Sequence, residues 1–248
     1  VTDPDVYHTR KCLQACDFIV LQEIFPSDTS ALADVLLPGV SFAEKDGTFT
    51  NTERRVQLVR QAITPKGSAK PDWEILSNLA KKILKEEQRE ITGAFASWDY
   101  KNASEIMEEI GALTPSYAGI QYDRLNNGES LHWPVKDAQH PGTPILHIGS
   151  FTRGKGKFHP TEHIDPKEMP DDEFPFLLTT GRVLYHWHAG EMTRRSSDLL
   201  EVYPGAYIEV HPEDAIKYGI RQNQQITLNS RRGTTRGKAL ITDRVSPG

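Results

Sequence analysis

Between residues 176 and 195 the chain reads Phe176-Leu-Leu-Thr-Thr-Gly-Arg-Val-Leu-Tyr-His-Trp-His-Ala-Gly-Glu-Met-Thr-Arg-Arg195. An apolar run breaks at Gly181, and Arg182, Tyr185, His186, His188 and Thr193 follow within about one or two turns' reach of each other. That grouping suits a large anionic ligand carrying a ring system. The glycine lets backbone N–H groups come close, the guanidinium offers a planar fork to phosphate oxygens, and imidazoles and hydroxyls can donate to ring heteroatoms. The pair His186-x-His188 would share a strand face and could ligate zinc, but no third or fourth ligand stands nearby, which favours donation to a ring or phosphate.

Other candidate groups lie well before this segment. Gln22 and Glu23 close an apolar run, Lys45 sits in a polar stretch, and Asp72 opens an amphipathic segment. As a helix-start carboxylate Asp72 has a complete structural role at the positive end of the dipole. It could equally accept from both the N1–H and the exocyclic amino group of a guanine. Cys12 and Cys16 are four apart, and no further cysteine follows. An iron–sulfur cluster needs about four thiolates, so the pair reads as small hydrophobes packed under a helix. His132, His140, His147, His159 and His163 have no metal-ligand spacing and read as solvent histidines.

The elements that must position these residues follow from the pattern. Residues 8–16 end a helix, and Asp17 to Glu23 reads as a parallel strand buried on both faces. A polar turn at Phe25 to Thr29, a short helix over Ser30 to Ala33 and a second strand over Asp34 to Pro38 complete a Rossmann-like half-unit. In such sheets ligands bind beyond the carboxyl ends of strands, which points to Gln22 and Glu23. Gly47 marks a turn, and Ala43 to Gln57 reads on composition as a solvated loop with ion pairs between Glu53 and Arg54 or Arg55. Pro71 to Leu84 forms a helix with a buried stripe of Ile75, Leu79 and Ile83, and Ala103 to Leu113 forms another. Residues 115–170 show little periodicity, and Asp171-Asp-Glu173 marks a domain boundary. Phe176 onward begins as a buried strand. Tyr207 to His211, Gln225 to Ser230 and Gly237 to Thr242 are strands, with a helix over Pro212 to Gly219; together they suggest a small β-barrel. The whole is an α/β chain of two domains, 1–170 and 171–248.

Bulk properties set limits. With 248 residues there is room for such domains, and 25% charged residues are ordinary for a soluble protein. A net charge of −5 argues against a nucleic-acid partner. No apolar run has the roughly 18 residues of a membrane span. The opening Val1-Thr-Asp-Pro and closing Val245-Ser-Pro-Gly248 suggest part of a longer chain, expected in the cytoplasm, with an exported form left open.

The segment Thr180 to Arg195 resembles the cofactor-binding signature in the C-terminal domain of molybdopterin oxidoreductases, above all formate dehydrogenase catalytic subunits. Thr29 to Pro38, then Glu44-Lys-Asp-Gly47 and Asn51-Thr-Glu-Arg-Arg55, are similar to the third domain of that family. The resemblance implies a bis(molybdopterin guanine dinucleotide) cofactor carrying molybdenum or tungsten, and makes the β-barrel a double-psi barrel. Carried over position by position, it implies cofactor contacts at Gln22, Glu23, Lys45 and Asp72. In the clamp it implies Thr180, Gly181, Arg182, Val183, Leu184, Tyr185, His186, Trp187, His188 and Ala189. The family's 4Fe-4S cysteines and metal-ligating residue have no counterpart here, so no catalytic residue is assigned. The implied activity of the complete enzyme is oxidation of formate to CO₂, or the reverse, with electrons passing to iron–sulfur clusters and on to iron–sulfur or flavin subunits, as in anaerobic metabolism. The alternatives are a nitrate-reductase-like enzyme of the same family, and a non-catalytic scaffold like the iron–sulfur subunit of NADH dehydrogenases.

Overall fold

The computed structural model describes residue 3 and residues 5–89, 98–166 and 168–248. The chain divides into two compact units, Cys16–Phe158 and the pair of segments Val1–Ala15 and His159–Gly248.

In the first unit, β1 (Val20–Glu23) and β2 (Val35–Pro38) pair in parallel, with Glu23 opposite Pro38, so their carboxyl ends lie side by side. The connection is a 3-10 turn at Asp28–Leu32 rather than an α-helix. Val20 is half exposed and no residue of β1 is fully buried, contrary to the expectation of a strand buried on both faces. The pair has no third strand among the described residues.

Gly47 opens strand β3 (Gly47–Thr50), which pairs antiparallel with β4 (Arg55–Val59), as β4 does with β5 (Leu131–His132); the turn predicted at Gly47 falls instead at 51–54. There Asn51 accepts from the backbone N–H of Arg55 (3.0 Å), and Arg54 takes a left-handed backbone, φ 66°. Arg54 does not pair with Glu53. Its guanidinium donates to the carbonyls of Trp133, Thr143 (2.9 Å) and Pro144 (2.8 Å), while Arg55 takes the Glu53 carboxylate at 2.9 Å. Burial of backbone carbonyls without partners is costly, so a cation with five donors serves better there than at the surface.

The core of this unit is Val56, Met107, Ile120, Leu125, Leu131 and Val135, flanked by Leu58, Tyr117, Tyr122 and Trp133. Helix α2 (Asp72–Glu86) carries two acids in its first turn, as its dipole favours. Of its predicted stripe only Ile75 is buried, while Leu79 and Ile83 are 41% and 48% exposed. Helix α3 (Ala103–Leu113) has its predicted bounds, and Asn102 caps it by accepting from the N–H groups of Ser104 and Glu105.

The second unit contains helix α1 (Val6–Gln14) and, later, a three-stranded sheet. Strand β6 (Tyr207–Val210) runs parallel to β8 (Gly233–Ile241), which pairs antiparallel with β7 (Gln225–Ser230). Between β6 and β7, a helix over Pro212–Tyr218 ends at Gly219 with φ 66°, the left-handed cap that its sequence predicts. Ala215 of that helix and Ala239 of β8 are buried. Among the described residues this sheet has three strands, in the order β6-β8-β7. Phe176, Leu177 and Leu178 are 45%, 53% and 65% exposed and form no strand, contrary to the expectation. Apolar residues extend into a strand only where a neighbour supplies a ladder, and here Leu177 donates to the Gly248 carbonyl alone (2.8 Å). Cys12 and Cys16 are exposed, not packed beneath α1; Cys12 lies 3.5 Å from the ring of His8 one turn before it.

Candidate functional site

Gln22, Lys45 and Asp72 are brought together. Gln22 and Glu23 end β1, and Gly39 follows β2, whose end is adjacent. Asp72 is the first residue of α2. Lys45 is carried by a 3-10 turn at Phe42–Glu44, fixed on both sides. Glu44 accepts from the N–H of Ser41 (2.9 Å) and of Lys66 (3.3 Å), and Asp46 accepts from the N–H of Gln61 (2.8 Å). The hydrogen bond from Ser41 holds the Glu44 carboxyl below its ordinary range. Both neighbours of Lys45 are thus fastened to backbone groups.

Lys45 takes the Asp72 carboxylate. The ammonium donates to one Asp72 oxygen and the Gln22 amide donates to the other at 2.6 Å. Partial burial disfavours the Asp72 charge, but the donations from Lys45 and Gln22 outweigh it and lower the pKa below 3.8. The carboxylate is therefore ionised, and its side chain remains 46% exposed. Lys45, Gln22 and the residue's own backbone N–H engage part of its roughly four acceptor positions, and its exposure leaves the remainder open to a ligand.

Gly39, which sequence reasoning did not single out, adjoins this cluster. A Cβ there would lie 3.2 Å from an Asp72 oxygen and 3.9 Å from Gln22. The signal was available in Pro38-Gly39 directly after a strand of a parallel pair, where backbone and ligand approach each other. Glu23 is turned back on its own segment and accepts from the N–H of Ile24 at 3.0 Å.

Thr180 to Ala189 lies in the other unit, as turns and irregular backbone. Arg182, Leu184, Tyr185, Trp187 and His188 are exposed, Leu184 to 90% and Trp187 to 74%. Open space surrounds the position a Cβ would take on Gly181. His188 has a left-handed backbone at φ 51°, and Trp187 meets its ring edge-on at 4.8 Å. A turn closes the segment through Gly190 N–H to the Trp187 carbonyl (2.8 Å). His186 alone is buried, at 7% exposure. No group of three His, Cys, Asp or Glu residues suited to a metal occurs among the described residues, and no helix there is long and apolar enough to cross a membrane.

Two family models match this chain. Residues 1–82 match the molybdopterin oxidoreductase family, and residues 176–248 match the family described as "Molydopterin dinucleotide binding domain". Over 250 aligned residues the chain is 44% identical to the alpha subunit of F420-dependent formate dehydrogenase from Methanocaldococcus jannaschii. It is 42% identical to the alpha subunit of F420-dependent formate dehydrogenase 1 from Methanococcus maripaludis. Each alignment covers 100% of this chain and 36% of the relative, so the chain spans about a third of these relatives' length. Acetylene hydratase from Pelobacter acetylenicus shares the fold with a TM-score of 0.61, at 15% identity, over 98% of this chain and 34% of that one.

Proposed function

We propose that this chain comes from a molybdopterin oxidoreductase, namely that it is the C-terminal part of a formate dehydrogenase catalytic subunit. Similarity to formate dehydrogenase alpha subunits over 100% of this chain carries this reading. The complete enzyme would oxidise formate to CO₂, or run the reverse, passing electrons to a 4Fe-4S cluster and to iron–sulfur or flavin partner subunits.

The residues present fit a molybdenum- or tungsten-bis(molybdopterin guanine dinucleotide) cofactor. Asp72, ionised, half exposed and with acceptor positions to spare, suits the N1–H and amino donors of a guanine edge. Gln22 and Lys45 hold that carboxylate, and Lys45 also provides a cation for phosphate or for guanine O6. Glu23 lines the same strand end. In the other unit, Thr180, Gly181, Arg182, Val183, Leu184, Tyr185, His186, Trp187, His188 and Ala189 form the clamp. Arg182 and His188 act as donors there, exposed Leu184 and Trp187 offer apolar cover, and open Gly181 admits close approach. When bound, the cofactor supplies the two-electron chemistry, and these side chains bind and orient it.

We further propose that residues 1–170 are part of a Rossmann-like domain, and that residues 171–248 contribute to a double-psi β-barrel. Formate-dependent dye reduction by the full-length parent, purified without oxygen, tests the activity. Reduction with formate is expected; nitrate reduction in its place would make the chain part of a nitrate-reductase-like enzyme, and neither activity would leave a scaffold.

A further inference from the structure

His186 differs from the rest of the clamp segment in being buried, and protein groups meet both ring nitrogens. Nε2 lies 2.8 Å from the Tyr203 carbonyl oxygen, and Nδ1 lies 3.1 Å from the Thr193 hydroxyl. A carbonyl can only accept, so Nε2 carries the hydrogen. In a neutral imidazole Nδ1 is then a lone pair, and the Thr193 hydroxyl must donate to it. With its one proton committed, that hydroxyl oxygen accepts, and the backbone N–H of Trp187 meets it at 3.2 Å. Donors thus run in one order, from the Trp187 amide through Thr193 to His186, and from His186 to Tyr203. The Tyr203 ring closes the group, edge to face with His186 at 5.9 Å and stacked on Tyr185 at 6.4 Å.

We infer that His186 and Thr193 are positioning residues of the clamp, acting on a ligand only through the backbone and side chains that they hold. The inference rests on the reading of Thr180 to Ala189 as a cofactor clamp. His186 has no ring nitrogen left for a ligand, and Thr193 no proton. What they fix is the peptide at Trp187, the residue before His188. A left-handed backbone at a non-glycine residue persists only where its surroundings over-determine it. The Thr193–Trp187 bond and the Gly190–Trp187 turn provide that restraint from both sides. His188 and Trp187 are thereby presented outward, exposed and with a defined direction, before any ligand arrives.

The test uses the full-length parent with Thr193→Val and Thr193→Ser, reading amide hydrogen exchange across residues 185–190 and GMP released per chain. Valine keeps the shape without the hydroxyl; serine keeps the hydroxyl. Exchange at the Trp187 amide is expected to rise roughly threefold to tenfold in Thr193→Val, the weight of one hydrogen bond. GMP content should fall in the same variant at unchanged melting temperature, and both should return in Thr193→Ser. GMP loss with unchanged exchange would mean that Thr193 touches the ligand directly, and equal impairment by serine would mean that the hydroxyl is not the operative group; either overturns the inference. So does an unprotected Trp187 amide in the wild type, whether or not the valine variant folds. A wild-type parent without GMP would remove the cofactor reading, and exchange would then decide on the hydrogen-bond network alone.

Discussion

Replacing Asp72 with asparagine separates a binding role from a helix-start role by size of effect. In folding, the carboxylate contributes one ion pair and one amide hydrogen bond, and its side chain is 46% exposed. Solvent screens such a pair to roughly 0–1 kcal/mol, so Asp72→Asn should cost no more than about 1 kcal/mol of stability. At a guanine edge the loss is larger. The amide keeps one acceptor and sets a donor against a donor, so two hydrogen bonds to a charged group, each worth about 1.5–3 kcal/mol, are lost or weakened. The total of about 3–6 kcal/mol corresponds to roughly 10² to 10⁴ in affinity. Chemical denaturation of the full-length variant gives the first quantity, and GMP released per chain gives the second. Wild-type GMP content would refute the binding role. A stability loss of about 3 kcal/mol or more would show that the carboxylate is mainly structural. The same variant has a pH signature. The folded pKa of Asp72 is depressed below 3.8, so its contribution to stability is fully present above that value and is lost as pH falls through the lower, folded value. Asp72→Asn should remove that part of the acid limb, as acid titration of the two proteins by circular dichroism would read.

Arg124 has a side chain 12% exposed that donates to the carbonyls of Gly119 (2.8 Å) and His140 (3.0 Å) as well as to Glu129 (2.7 Å). Arg124→Ala leaves those carbonyls without a donor and should cost about 2–4 kcal/mol, measurable as a lowered denaturation midpoint. Gly119→Ala would place a Cβ 1.9 Å from the Asp137 carbonyl oxygen, which is backbone and cannot swing aside. It should destabilise by a few kcal/mol, less than additively with Arg124→Ala because both changes disturb the same turn; a double-mutant denaturation cycle reads the coupling. Arg182→Ala lies on exposed backbone and should change the melting temperature by less than about 2 °C while lowering GMP content.

Much of this was legible in the sequence where a local signal fixes a local structure. Helix α3 has its expected bounds, Gly219 ends its helix in the left-handed region, and β7 spans Gln225–Ser230 as expected. The clustering of Gln22 and Lys45 about Asp72 was implied by the resemblance and given a physical basis by two facts, the strand-end rule and the turn that carries Lys45. What was not legible depends on partners distant in sequence. Residues 115–135 lack periodicity, yet Ile120, Leu125, Leu131 and Val135 form the core, because a two-residue strand and a five-residue helix are too short to show a period. Arg54 looked like a surface charge until the carbonyls near residues 133–144 came to it. The apolar residues Phe176 to Leu178, Leu79 and Ile83 have the composition of buried segments and are exposed, since hydrophobicity states a need for cover without supplying the neighbour.

Whether these residues hold a molybdopterin guanine dinucleotide is decided by metal and nucleotide analysis of the full-length parent, purified without oxygen. Molybdenum or tungsten with about two GMP released for each metal is the expected result for a bis-dinucleotide cofactor; a folded protein carrying neither metal nor GMP would contradict it.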